Sequence, residues 1–277
     1  TFNVNYDAAI NNTTGATLTA TNAITLGANL TYLGSSPLVL SGAVAAGNTV
    51  KTITVNSPGV GVNTNALTLS GVITTAASGG LTKAGKGTLI LSGANTTALA
   101  GSVSITVTDG VLSLGNANAL GVVGNTLVIN GGAIDAPSAI TQALANPMTI
   151  GSSFAFIGTA NLTTSTGALT IGAGVNPTIT VLANTLNLFG PISNANSPSL
   201  TVNGAGSLTL TSTTNAYTGS TTINAGAYEN NVALFVDVYH ELAYPLETMR
   251  ATARGLKPGG RVVICEFSRP TSELVRK

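Results

Sequence analysis

The chain is poor in the residues that carry most protein chemistry. It has no tryptophan, one cysteine (Cys265), one histidine (His240), and charged side chains at only 7% of its positions. A single cysteine excludes an internal disulfide. A formal net charge of +1 supplies no field for nucleic acid or an anionic membrane surface, so neither is expected as a partner. Mean hydropathy is positive, at +0.41. Yet no run of about 18 apolar residues exists, which argues against a transmembrane segment. The chain begins at Thr1 with no charged-then-apolar leader and reads as a fragment or a processed form.

The scarcity is uneven. Residues 1–227 hold three acids (Asp7, Asp109, Asp135) and three lysines (Lys51, Lys83, Lys86), with no arginine, histidine or cysteine. Residues 228–277 hold the other six acids, seven Lys/Arg, His240 and Cys265. This break reads as two unrelated pieces joined end to end, 1–227 and 228–277.

What fills the first piece is a recurring phrase. Leu38-Val39-Leu40-Ser41-Gly42 is followed by Leu67-Thr68-Leu69-Ser70-Gly71 and Leu89-Ile90-Leu91-Ser92-Gly93, with related Leu-x-Leu pairs at Leu112, Leu186 and Leu208. The spacings are 29, 22, 23, 74 and 22, and 74 is taken as three units. A period in the twenties marks stacked repeats. Within each unit, apolar and small polar residues alternate (Ile105-Thr106-Val107, Ile179-Thr180-Val181), and Gly, Asn-Gly and Ser-Pro punctuate them. Period two with branched aliphatics predicts half-buried strands. The expected fold is mainly β: a parallel β-solenoid of roughly ten rungs, about 50 Å long. The competing arrangement is a stack of antiparallel β-sandwich modules.

Two stretches carry a resemblance. Gly80-Leu-Thr-Lys-Ala-Gly-Lys-Gly-Thr-Leu-Ile-Leu-Ser-Gly-Ala-Asn-Thr96, and Gly204-Ala-Gly-Ser-Leu-Thr-Leu continuing through Asn215 to Gly226, resemble the autotransporter-associated β-strand repeat of bacterial passenger domains. The resemblance spans most of residues 20–226. It implies a right-handed β-helix (β-solenoid), secreted or displayed on the bacterial cell surface, and a structural or adhesive role rather than an enzymatic one.

Polysaccharide chemistry on a β-helix needs grouped carboxylates. Asp109 and Asp135 lie 26 residues apart, which could place them on neighbouring rungs, but both are expected to serve turns. Gly80-Leu-Thr-Lys-Ala-Gly85-Lys86 matches the spacing of a phosphate loop, yet Gly87 stands where Ser or Thr is required and a strand is expected to follow. The lysines there are expected on a solvated turn.

The second piece has another pattern. Val232–Val236 and Arg261–Cys265 read as buried strands. Between them Pro245 opens a helix with Leu246, Met249, Ala253 and Leu256 on one face, ended by Pro258-Gly259-Gly260. This is a short βαβ fragment. Phe235-Val-Asp-Val-Tyr-His-Glu-Leu242 with Leu256-Lys-Pro-Gly-Gly-Arg-Val-Val-Ile264 resembles the second half of a class I S-adenosylmethionine-dependent methyltransferase, over about residues 229–270. The resemblance places cofactor or substrate contacts at Asp237, Tyr239 and His240. The half that would hold S-adenosylmethionine does not precede it, so no cofactor and no catalytic residue are expected.

The resulting expectation is a non-enzymatic surface β-solenoid with a vestigial methyltransferase tail resembling a cytoplasmic enzyme, joined at Gly226–Tyr228 as a chimera. Expected partners are a surface glycan or a host or cell-surface protein, with end-to-end association through uncapped solenoid ends. The alternatives are methyl transfer through residues 228–277 and polysaccharide binding on the solenoid flank.

Overall fold

A computed structural model describes residues 1–56, 65–76, 78–96, 99, 102–142, 145–164, 166–193, 198–212, 214–225, 232–236 and 261–265. Among the described residues the regular structure is all strand, and every paired strand runs parallel to its neighbour. Parallel pairing excludes the antiparallel sandwich and leaves a coil.

Each turn of the coil visits up to three faces. Val44–Ala45, Val50–Val55 and Leu67–Leu69 form one such turn. The second face is a nine-stranded sheet and the third a ten-stranded sheet. The first face is split into two four-stranded blocks, from Phe2–Val4 to Ile73–Thr74 and from Ile140–Thr141 to Ser207–Leu210. Between them a single bridge, Thr75 to Leu99, continues the face. The nine-stranded sheet sets about nine turns. Ten strands at a spacing of about 4.8 Å make a rod of about 43 Å.

The core follows from the alternation. Odd and even positions of a strand face opposite sides, and stacking in register turns each inward position into a column. One column runs Leu38, Leu67, Leu89, Leu112, Ile134, Phe156, Val181. Another runs Leu81, Ile105, Leu127, Met148, Leu169, Ile192. All are buried. Outward positions stack as well, and Thr52, Thr82 and Thr106 stand one above another on the nine-stranded sheet. The fold therefore needs few aromatics, because a narrow core is filled by branched aliphatics.

One reading of the repeat is corrected. Leu112 lies on the third face, whereas Leu186 and Leu208 lie on the first, paired with each other. The interval of 74 is not three units along one face. An inward Leu-x-Leu looks the same on any face, so the phrase does not say where it sits.

In the second piece, Val232–Val236 and Arg261–Cys265 form a parallel pair, Val232 opposite Arg261 and Val236 opposite Cys265. The helix expected between them, and Asp237, Tyr239 and His240, lie outside the described residues. Among the described residues no helix is long and apolar enough to cross a membrane.

Candidate functional site

The two stretches singled out in the sequence build the same corner. In the first, strand Gly80–Ala84 turns through Gly85 and Gly87 into strand Thr88–Leu91, and Asn95 follows. In the second, Leu200–Gly204 turns through Gly204 and Gly206 into Ser207–Leu210, and Asn215 follows. Gly85 and Gly204 both have positive φ, 72° and 105°. A side chain there meets backbone: a Cβ on Gly85 would lie 2.7 Å from Val55 O, and one on Gly204 2.0 Å from Val181 O. The second glycine closes the bend, Gly87 N donating to Val55 O (2.7 Å) and Gly206 N to Val181 O (2.8 Å).

The asparagine returns the favour to the turn below. Asn95 Oδ1 accepts from Ile73 N at 2.8 Å, and Asn215 Oδ1 accepts from Ile192 N at 2.9 Å. Where the backbone bends away from the ladder an amide N–H loses its strand partner, and a buried N–H must find another acceptor. Asn125 does the same for Val103 N (3.1 Å), while its Nδ2 donates to Leu99 O and Leu120 O, both at 2.8 Å. Asn29, Asn161 and Asn176 cap Thr52 N, Thr185 N and Ser199 N. These six asparagines are thus inter-turn caps.

The lysines depart from the sequence reading. Lys86 is on an exposed turn, as expected, but Lys83 is 1% exposed and Lys51 is also buried. Both occupy inward positions: Lys83 stacks between Ile53 and Val107, and Lys51 against Leu81. Each stem fills the core and each amine escapes at a corner. Lys51 Nζ donates to Gly27 O (2.9 Å) and Thr49 Oγ1 (2.6 Å). Lys83 Nζ donates to Ala84 O, Gly85 O and Asp109 O. Burial lowers the Lys83 pKa to about 8, opposed in part by the Asp109 carboxylate. Burial likewise raises the pKa of Tyr32, whose hydroxyl donates to Ser36 O. The phosphate-loop spacing leads into strand Thr88–Leu91, as anticipated, so no helix N-terminus faces that turn.

The acids do not form a pair. Asp109 serves a turn, its Oδ1 accepting from Gly110 N at 2.8 Å. Asp135 does not: it ends the strand Ala133–Asp135, fully buried. Its carboxylate accepts from Thr159 N (2.9 Å) and Thr159 Oγ1 (2.7 Å) of the next turn. Ser113, its register partner, is equally buried and its hydroxyl has no hydrogen-bond partner among the described residues. Val111 pairs with Ala133, so Asp109 and Asp135 are offset by four residues along the strands.

A cavity of about 20 Å³ lies in the core beside Gln142, lined by Leu114, Leu127, Ile134, Met148 and Thr164 among others. It is too small for any substrate. The signal for the corners was present in the sequence as Gly-x-Gly with an Asn eight or nine residues after the second glycine; the signal for Lys83 was its place in the alternation.

The model of the passenger-associated-transport-repeat family matches residues 81–114 and 200–227. No curated protein and no solved structure matches the chain. Both matched segments begin on the strands that lead into the corners described above, and the described strands from Phe2 to Ala225 stack in parallel sheets. Two segments that match the passenger-associated transport repeat thus lie within a parallel β-solenoid, and together these support an autotransporter passenger-type repeat domain.

Proposed function

We propose that this chain is a secreted or surface-displayed β-solenoid of the autotransporter passenger type, right-handed, with a structural or adhesive and not an enzymatic role. The observation that carries the reading is that both family segments hold a Gly-x-Gly corner followed, one strand later, by an asparagine that caps the turn below. Inward columns and inter-turn caps hold the rod together, and Thr, Ser and Asn side chains remain on its outer faces. The separation of Asp109 from Asp135 leaves a flank suited to binding and not to cleavage. A glycan or a cell-surface protein would meet the outer face of the nine-stranded sheet, where Thr52, Thr82 and Thr106 present hydroxyls one turn apart. Export is the test. The chain is placed ahead of an autotransporter barrel in a Gram-negative cell, and intact cells are treated with an external protease. Cleavage of the solenoid on intact cells is expected; protection until lysis would sink the reading.

A second reading rests on the parallel pairing of Val232–Val236 with Arg261–Cys265. It makes residues 228–277 a methyltransferase-like piece joined to the solenoid as a chimera, with Asp237, Tyr239 and His240 as its contacts. Calorimetric titration of the chain with S-adenosylmethionine tests it, and absence of binding would leave the tail vestigial. Amplification across Gly226–Tyr228 from source DNA tests the junction.

A further inference from the structure

Asparagine followed by glycine occurs twice in the chain, at Asn130-Gly131 and Asn203-Gly204. None of the six capping asparagines is followed by glycine. The pair has a chemistry of its own. Glycine has no Cβ, so its backbone nitrogen is open to the side chain of the asparagine before it. That nitrogen attacks Cγ and an N–C bond forms. The bond from Cγ to the amide nitrogen breaks, and ammonia leaves with the proton of the attacking N–H. Water then opens the five-membered imide at either carbonyl, giving aspartate or isoaspartate. Water is the only co-reactant.

The fold treats the two sites differently. Asn203 lies within strand Leu200–Gly204, between its register partners Thr180 and Asn224. Its Oδ1 accepts from Asn224 Nδ2 at 2.9 Å. A residue in a strand holds its side chain perpendicular to the sheet, off the line of the next backbone nitrogen. The glycine that follows is pressed onto the turn below, where a Cβ would lie 2.0 Å from Val181 O. Asn130 instead stands one residue past strand Thr126–Ile129, in a bend. It is exposed, and among the described residues no hydrogen bond holds its side chain. That side chain lies across Gly151 of the next turn, its Oδ1 2.1 Å from where a Cβ would stand. The N–H of Gly131 likewise has no acceptor among the described residues. The nucleophile and the amide it attacks are both free.

We propose that Asn130-Gly131 is a self-modifying site, which converts to aspartate and isoaspartate in the folded chain, while the stack shields Asn203-Gly204 from the same reaction. The site lies between strand Thr126–Ile129 of the nine-stranded sheet and strand Ala133–Asp135 of the ten-stranded one. Isoaspartate carries the main chain through Cβ and so lengthens this corner by one atom. Either product also brings a carboxylate to the turn above Asp109. The bend at Gly131 and Gly132 rests on that residue's corner: a Cβ on Gly132 would lie 3.1 Å from Asp109 Cα. Like charges then stand on adjacent turns and oppose each other.

The full chain is held at pH 8.5 and 37 °C, folded and in urea, and sampled over weeks. Acid quenching and pepsin digestion give peptides that span positions 130 and 203. Mass spectrometry reads the exchange of NH for O, and electron-transfer fragmentation separates isoaspartate from aspartate. Free peptides of the sequences 127–133 and 200–206 set the unhindered rates. In the folded chain Asn130 is expected to convert within a few-fold of its free peptide. Asn203 should be slower than its own peptide by about tenfold or more, because ring closure there waits on local opening of the strand. In urea the difference should vanish. Asn130→Gln, whose longer side chain must close a six-membered ring, should lose the change at 130 and keep the slow one at Asn203. Equal rates at Asn130 and Asn203 in the folded chain overturn the proposal. So does an Asn130 slowed as much as Asn203 against its free peptide, or a difference between the sites that persists in urea.

Discussion

Gly85 and Gly204 hold the same place in two copies of one repeat, yet they stand at different corners of the solenoid. Gly85 turns the chain from the nine-stranded sheet into the ten-stranded one, and Gly204 turns it from the ten-stranded sheet into the first face. The repeat therefore encodes a corner and not a face. A three-sided coil can accept such a unit at any of its edges, which explains irregular spacing along the chain with regular stacking in space.

That equivalence predicts equal sensitivity. Gly85→Ala and Gly204→Ala each place a methyl group against a backbone carbonyl and force an L residue into positive φ. Gly174 has a φ of 72° with nothing within 4 Å of a Cβ. Gly174→Ala should therefore lose only the conformational term, about 1–2 kcal/mol. The other two should lose about 1–3 kcal/mol more from overpacking. Urea unfolding of the three variants checks this, and a loss at Gly85 no larger than at Gly174 would show that the corner can relax.

The asparagine caps make a second test. In Asn95→Ala, the N–H of Ile73 and the carbonyl of Ala119 are both left without partners in a buried setting. Each such group costs about 1–3 kcal/mol, so a loss of about 2–6 kcal/mol is expected. Asn95→Asp keeps the acceptor for Ile73 N but turns a carboxylate oxygen toward Ala119 O, and should be no better. Asn11, which bonds Ser35 on the exposed surface, should tolerate alanine within about 0.5 kcal/mol. Comparable losses at Asn95 and Asn11 would contradict the capping role.

Much of this was legible in the sequence. The strands, their parallel stacking and the period near 22 follow from Leu-x-Leu phrases set in period-two alternation, and the columns Leu38–Leu67–Leu89–Leu112 confirm them. What the sequence hid is position around the axis, because Leu186 and Leu112 are chemically the same inward residue on different faces. Lys83 was misplaced for another reason. Alternation from Leu81 points it inward, but its charge argued for solvent. The long stem resolves the conflict by carrying the amine to corner carbonyls. Asp135 was expected in a turn along with Asp109, whereas Thr159 from the next turn supplies the donors that let it end a buried strand.

Asp135 separates a structural carboxylate from a catalytic one. Asp135→Asn keeps an oxygen for Thr159 N, and its new amide can donate to the Thr159 hydroxyl in the reverse sense. The loss should be under about 1 kcal/mol, close to that of a neutral hydrogen bond exchanged for a charged one. Asp135→Ala removes both charge-assisted hydrogen bonds to Thr159, each worth about 1.5–3 kcal/mol, and should lose about 2 kcal/mol or more even though Thr159 itself is exposed. Thermal unfolding of the pair gives the comparison. Equal damage from both substitutions would mean that the negative charge itself matters, and would reopen a chemical role for this carboxylate.

Gln142 offers the opposite sign. It is 4% exposed, and neither its Oε1 nor its Nε2 has a hydrogen-bond partner among the described residues. The amide borders the cavity of about 20 Å³, whose walls are mostly leucine, isoleucine and methionine. A buried amide without partners destabilises the fold by about 1–3 kcal/mol, and an apolar group of the same shape removes that term. Methionine matches glutamine in length and adapts to irregular space. Gln142→Met should therefore raise stability by about 1–2 kcal/mol. Gln142→Ala removes the same polar atoms but enlarges the cavity, at about 24 cal/mol for each Å³ left empty, and should gain less or lose. The order Met above Gln above Ala in chemical denaturation is the expected result. Methionine falling below the parent would show that the amide is satisfied and that this buried polar group helps to hold the stack in register.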